Sequence, residues 1–132
     1  MCVLRVSGTN IAVKEFLKNS SFDPCVIFDE NNQSRKNKVT KTFGFNVSIS
    51  EAEFEDLDTQ ITDVVSFLKK ECRELKRLEE FEDIEVVSVD FAISTPPEEI
   101  VVWTRSFPPE LLALLGSLGI SLDFTIWPKS NQ

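Results

Sequence analysis

A change of hydrophobic period in the middle of the chain limits its fold more than any other sequence feature. Between residues 39 and 49, larger side chains alternate with small or polar ones, which predicts a strand with one buried and one solvated face. From residue 54 the apolar spacing becomes three and four residues, which predicts an amphipathic helix. The apolar positions of this main helix are Phe54, Leu57, Ile61, Val64, Leu68, Cys72, Leu75 and Leu78.

The start of the main helix has two candidates. Ser50 and Glu53 have the S-x-x-E form of a capping box, in which each residue satisfies a backbone N–H of the first turn. Asp58 is the second candidate cap, because aspartate is also favoured at this position. The pattern leaves open whether residues 51–79 form one helix or two.

The remaining segments predict further strands and two shorter helices. Thr9 or Asn10 caps a first helix, with Ile11, Phe16 and Leu17 on its apolar side and an end near Asn19. Pro108 and Pro109 open a last helix over 108–119, which Gly116 or Gly119 ends. The predicted strands besides 39–49 cover residues 2–7, 25–28, 84–93, 100–104 and 120–127.

This element order predicts one α+β domain over residues 1–132. The order is β-α-β-β-α-β followed by β-α-β, and its first six elements match the split βαβ units of a ferredoxin-like sandwich. We expect a mainly antiparallel sheet with helices on one side. The strands at 84–93 and 100–104 are expected to form a hairpin with a long connection, since the intervening STPPEE contains two prolines.

Several stretches carry a resemblance that covers nearly the whole chain. They are LRVSG at 4–8, FGFNVSIS at 43–50, LDTQITDVVSFLKK at 57–70 and, most specifically, PPELLALLGSLGISLDFTIWP at 108–128. On these stretches the chain resembles a family of small uncharacterised bacterial α+β proteins, a domain of unknown function. The resemblance implies the fold and a bacterial origin. It brings no reaction, cofactor or catalytic residue.

The side chains most used for catalysis are missing from the sequence. The chain has no His and no Tyr, which excludes Ser-His-Asp and Cys-His catalysis and His-containing metal sites. Cys2, Cys25 and Cys72 are odd in number and far apart, so we expect reduced, buried thiols and no disulfide or zinc site. The sequence therefore predicts no enzyme, with no catalytic, cofactor-binding or metal-binding residues.

A polar residue within an apolar strand supports an alternative hypothesis. Asp90 lies within VVSVDFAI, and together with Arg5 and Trp103 it could line the cleft of a small-molecule-binding or enzymatic domain. The simpler interpretation places Ser88, Asp90 and Ala92 on the solvated face of the strand. Trp103, Phe107 and Trp127 likewise suggest either an aromatic patch or core packing.

Charge favours a protein partner. A formal net charge of −8 opposes binding to nucleic-acid phosphates and suits a basic protein, although acidity also serves solubility alone. The leading hypothesis is a non-catalytic protein-binding module, with an immunity-type protein that blocks a basic toxin as one form of it. The predicted partner-binding residues lie within acidic stretches at 51–63 and 79–85: Glu51, Glu53, Glu55, Asp56, Asp58, Glu79, Glu80, Glu82 and Asp83.

The sequence also gives expectations for cellular location and oligomeric state. No signal-peptide pattern and no apolar run of about 20 residues occur, so we expect a cytoplasmic protein without membrane contact. An exposed sheet face or edge would also allow a homodimer.

Overall fold

The two hydrophobic periods become strands and helices in the computed structural model, which describes residues 1–33, 39–96, 98 and 102–128. The strands are β1 (Cys2–Gly8), β2 (Val26–Gln33), β3 (Val39–Ser50), β4 (Ile84–Ser94) and β5 (Ser121–Trp127). The helices are α1 (Asn10–Lys18), α2 (Leu57–Lys70), α3 (Cys72–Leu78) and α4 (Pro109–Ser117).

The strands form one five-stranded sheet in the order β2-β3-β1-β4-β5. Strand β1 lies at its centre and pairs antiparallel with β3 and β4, and β2 pairs antiparallel with β3. Strand β5 pairs parallel with β4, and α4 forms part of the crossover that such a parallel pair requires. The expected α+β class is therefore confirmed, with a mixed sheet.

Side-chain alternation gives the sheet one core face. Leu4 of β1 lies opposite Val47 of β3 and Val89 of β4, so that all three residues lie on the same face. Helix α1 contacts β1 and β3, α2 contacts β3 and β4, and α4 contacts β5. The helices add to the core Val13, Phe16, Ile61, Val64, Leu68, Leu75, Leu78, Leu111 and Leu115.

Asp56 caps α2, so both of the expected helix starts are wrong. Its carboxylate accepts hydrogen bonds from the backbone N–H of Thr59 at 3.1 Å and from the Thr59 hydroxyl at 2.7 Å. Asp58 already lies in the first turn. The Ser50 hydroxyl is buried and donates to Asp63 Oδ2 at 2.6 Å instead of capping a helix. Two residues, Phe54 and Glu55, therefore separate the end of the sequence motif from the cap that tertiary packing selects.

Other helix ends decide the alternatives that the sequence left open. Thr9 caps α1, since its hydroxyl accepts from the Ala12 N–H at 3.2 Å. The segment after residue 50 holds two helices, which meet at Glu71 where φ is −99° and ψ is 19°. Gly119, with φ of +66°, follows the end of α4, and the next N–H donates to the Leu115 carbonyl at 2.9 Å. This is a Schellman motif, which favours glycine at the left-handed position.

Two expectations about strand and helix faces are wrong. Residues 102–104 of the predicted strand 100–104 are not in a strand, whereas 100 and 101 lie outside the described residues. Strand β4 pairs with β5 over seven residues, where a hairpin partner from residues 100–104 was expected. Trp103 packs against the core instead. Ile11 is 82% exposed because it is five residues, or about 140° of helix rotation, from the buried Phe16.

Among the helices of the described residues, none combines the length and the apolar character that crossing a bilayer requires.

Candidate functional site

The acidic residues predicted to bind a partner occupy two separate surfaces. The first set, called the 51–58 acids, comprises Glu51, Glu53, Glu55, Asp56 and Asp58, and all five are exposed. They lie where β3 ends and β1 begins, since Ser50 pairs with Cys2. Asp56 is already engaged as a helix cap, and its hydrogen bonds from the Thr59 hydroxyl and backbone N–H lower the pKa of this carboxyl.

The second set lies at the other end of the sheet. The 79–83 acids, which are Glu79, Glu80, Glu82 and Asp83, are exposed and connect α3 to β4. The Asp83 carbonyl accepts from the Thr9 N–H at 3.0 Å, which fixes this connection beside the end of β1. Seven residues of β1 separate the two sets, a length of about 20 Å. One compact partner patch therefore does not cover both sets.

A recess of about 290 Å³ lies beside the second set. Glu79, Glu82 and Glu85 line it, whereas Glu80 and Asp83 do not. We call it the glutamate recess. It combines carboxylates with an apolar wall, and a lysine or arginine side chain has matching parts, because its carbon stem is apolar and its end is cationic. The wall consists of Leu75, Leu78, Phe81, Ile84, Val87, Leu118 and Gly119.

The sequence pointed to the acids of the recess but not to its apolar wall. Glu85 ends the acidic stretch that the charge pattern singled out, although the strand that begins at Ile84 contains it. Leu118 and Gly119 come from the end of α4, more than thirty residues further along the chain. Only the packing of α4 against α2 brings its end beside the end of α3, and no local sequence signal predicts it.

Asp90 links three neighbouring strands on the face of the sheet opposite the core. Its Oδ2 lies 2.9 Å from Arg5 Nη2. The Thr125 hydroxyl donates to the same carboxylate and lies 2.9 Å from Oδ1 and 3.0 Å from Oδ2. The Asp90 side chain is 9% exposed and that of Arg5 is 50% exposed. The carboxylate is thus buried by its own partners, and the interpretation of Ser88, Asp90 and Ala92 as solvated residues is wrong because all three are buried.

The structure does not place Trp103 near Asp90 and Arg5. Trp103 lines a groove with Ile93, whose side chain alternates with that of Asp90 and lies on the core side of β4. Phe107 lines the same groove, whereas Trp127 lies near Phe54, with ring centroids 6.1 Å apart. The three aromatic residues therefore do not form one patch.

The three cysteines have different environments. Cys2 is buried in β1, and burial raises the pKa of its thiol because the thiolate would lose its hydration. Cys72 is half-buried. Cys25 is exposed, which corrects the expectation of three buried thiols: it precedes β2, and its Sγ lies 3.3 Å from the Asn46 carbonyl.

Metal ligands do not gather in the part of the chain that the structure describes, where no group of three or more Cys, Asp or Glu side chains could hold an ion. Comparison with protein-family models, with curated protein sequences and with solved structures finds no match to this chain.

Proposed function

We propose that this chain is a non-catalytic protein-binding module of bacterial origin that binds a basic protein partner through the glutamate recess. An immunity-type protein that blocks a basic toxin is one form of this function. The partner inserts a lysine or arginine between Glu79, Glu82 and Glu85, and its carbon stem lies against the apolar wall. The exposed acids around the recess attract the partner before contact.

The observation that carries this proposal is the coexistence of three carboxylates and an apolar wall in one recess. Exposed carboxylates alone give weak ion pairs, each worth roughly 0.2–1 kcal/mol. The apolar wall adds less than the roughly 0.8 kcal/mol per CH₂ of full burial, because Leu75, Leu78 and Leu118 are themselves almost completely buried. Their combination favours a long cationic side chain over a metal ion, since a metal ion gains nothing from the wall.

The absence of catalysis remains part of the proposal and is supported by chemistry. The sequence has no His, so the commonest general base is missing. Asp90, on which the enzymatic alternative depends, is held by Arg5 and Thr125, and these contacts give it a role in joining β1, β4 and β5. Cys2 is buried, and its raised pKa keeps the thiol protonated and therefore weakly nucleophilic.

Fold family and location also belong to the proposal. The strand order β2-β3-β1-β4 supports a ferredoxin-like sandwich for the first six elements, because each βαβ unit encloses one strand of the other unit. Membership of the bacterial family rests on the stretches at 4–8, 43–50, 57–70 and 108–128. A cytoplasmic location rests on the sequence alone.

The test compares two triple variants that change the net charge equally. Immobilised wild-type protein is used to capture a basic protein from a lysate of the source organism at low and high salt. We expect the captured protein to bind the recess variant about tenfold to hundredfold more weakly, since three ion pairs are lost. The recess variant is Glu79→Gln, Glu82→Gln and Glu85→Gln, and the control variant is Glu51→Gln, Glu53→Gln and Glu55→Gln.

The control variant separates a specific site from general acidity. It removes the same number of charges at the opposite end of the sheet, so we expect it to keep nearly the full affinity and lose only some of the association rate. Equal weakening by both variants would show that net charge alone attracts the partner. Recovery of no basic protein at either salt concentration would refute the proposed function.

A further inference from the structure

Strand β5 is an edge strand of the sheet that the described residues form. In the described residues it pairs with β4 alone. The Trp127 carbonyl accepts from the Thr95 N–H, so the backbone of Trp127 points towards β4. In a parallel ladder the alternate residues point the other way, which directs the N–H and C=O groups of Leu122, Phe124 and Ile126 outward. An edge of this kind is a template for another strand.

The same edge borders an apolar groove. The groove measures about 240 Å³ and is lined by Ile93, Trp103, Phe107, Phe124 and Ile126, together with one cation, Arg105. The side chains of Phe124 and Ile126 are 55% and 49% exposed although they belong to the core side of the sheet. The helices therefore leave this end of the core face partly uncovered, directly beside the outer backbone edge of β5.

Arg105 indicates the charge of the occupant. Its guanidinium lies over the Trp103 ring, with Cζ 5.7 Å from the ring centroid. Among the described residues no carboxylate lies within 4 Å of it, and Glu55, which lines the adjoining recess, is not paired with it. A guanidinium that has no carboxylate partner among the described residues and lies beside an apolar groove is complementary to a carboxylate among apolar side chains.

We propose that an extended peptide with alternating apolar side chains and one carboxylate adds as a sixth strand to the outer edge of β5. Its backbone pairs with Leu122, Phe124 and Ile126, and its apolar side chains fill the groove. Its carboxylate binds Arg105. This site lies at a different surface from the glutamate recess and recognises the opposite charge, so it stands or falls separately from the proposed function.

A second copy of the chain fits this edge less well. When β5 of one copy pairs with β5 of another in one continuous sheet, the core faces of both copies lie on the same side of that sheet. Asp123, the acid that β5 carries, lies opposite Asp90 in the ladder and therefore faces away from the groove. The second copy's β5 thus supplies no carboxylate to Arg105, and two chains of net charge −8 repel each other.

The test uses a defined peptide, labelled with fluorescein at its N-terminal amine and amidated at its C-terminus, with the sequence Val-Thr-Val-Thr-Glu-Thr-Val. Its valines and glutamate share one face of a strand. Fluorescence anisotropy measures its affinity for the full chain, and a second peptide carries lysine in place of glutamate. We expect the glutamate peptide to bind about tenfold more tightly. The variant Arg105→Glu should reverse this preference, a change that a purely structural role of Arg105 would not produce.

A pair of matched variants tests the edge itself. Ile126→Lys places a charge in the groove and should weaken binding at least about tenfold. Val86→Lys is the control, since Val86 is 48% exposed, close to the 49% of Ile126, but lies on the opposite face of the sheet. We expect Val86→Lys to bind as the wild type does. Circular dichroism confirms that both variants are folded, and Ile126→Thr is used in place of Ile126→Lys if that variant unfolds.

Three results would overturn the proposal. The first is no binding of the glutamate peptide at about 1 mM, the weakest range of specific affinity. The second is equal affinity for the glutamate and lysine peptides in the wild type. The third is a dimer in sedimentation equilibrium that Ile126→Lys converts to a monomer, because a second copy would then be the occupant of the edge.

Discussion

Replacing Arg77 with alanine removes the side chain that joins α3 to the end of α1. Its Nη2 donates to the Phe16 carbonyl at 2.7 Å, and this carbonyl belongs to the last turn of α1, where carbonyls have no partner within the helix. Nε and Nη2 also donate to Glu74 Oε1 at 3.0 and 2.8 Å. The guanidinium carbon lies 4.3 Å from the centroid of the Phe16 ring.

The cost of this substitution follows from the three contacts. A hydrogen bond from a charged group contributes about 1.5–3 kcal/mol, and the stacking on an aromatic ring roughly 0.5–2 kcal/mol. The pair with Glu74, three residues away on the helix, adds only a few tenths of a kcal/mol. Because one guanidinium makes all the contacts, these terms are not additive. We expect Arg77→Ala to lower the free energy of unfolding by about 2–3 kcal/mol.

Urea unfolding followed by circular dichroism measures this loss. With a slope of about 2 kcal/mol per molar urea, the midpoint should fall by roughly 1 M or slightly more. Arg73→Ala is the matched control: Arg73 is on the same helix but exposed, so its replacement should change the stability by less than about 0.5 kcal/mol. Arg77→Lys should recover little, since an ammonium group lacks the planar fork that spans both acceptors.

Equal midpoints for Arg77→Ala and Arg73→Ala would refute this reasoning. That result would mean that water replaces the contacts of the guanidinium without loss, and that the Phe16 carbonyl does not depend on α3. Glu74→Gln gives a further check, because it weakens the ion pair but leaves the contacts of Arg77 with Phe16 in place. We expect this variant to lose well under half of the effect of Arg77→Ala.

Two further predictions concern single groups. Burial raises the pKa of the Cys2 thiol, whereas Cys25 is exposed, so iodoacetamide should modify Cys25 before Cys2 in the native protein. Peptide mass spectrometry measures the two modification rates. Equal rates for Cys2 and Cys25 in the native protein would contradict the burial of Cys2. Hydrogen bonds from Thr59 lower the pKa of Asp56 below its ordinary value of 3.8, so its stabilising effect is complete above that pH and is lost as the pH falls through the lowered pKa. The stability advantage of the wild type over Asp56→Ala should therefore narrow in acid in thermal unfolding, and an advantage independent of pH would contradict this role.

Local pattern was sufficient for most of the helices and strands. The alternation at 39–49 and the spacing of three and four residues from 54 correspond to β3 and to α2 with α3, because each period places one continuous apolar face on its element. Gly119 could be named as one of two helix ends, since only a left-handed residue permits the Schellman hydrogen bonds. Whether a segment forms a helix or a strand depends mainly on residues near it in the chain, so the spacing of apolar residues predicts it.

Helix caps and strand partners depended on distant parts of the chain. Ser50 has the form of a cap, but its hydroxyl is buried against Asp63, and the first turn begins after Asp56 instead. Residues 102–104 are apolar and β-branched enough to suggest a strand, yet β5 pairs with β4 and leaves Trp103 to the core. Competing local preferences are similar in energy, so tertiary packing decides between them.

The sequence by itself determined the α+β class, the acidic charge and the lack of histidine chemistry, because these follow from composition and from the periods of single segments. Only the tertiary structure decided that the predicted acids separate into two surfaces and that three glutamates share a recess with the end of α4. It also decided that Asp90 is held by Arg5 and Thr125, and that β5 is an edge strand of the sheet formed by the described residues. A site of this kind joins residues far apart in the chain, and their proximity depends on the packing of the whole core.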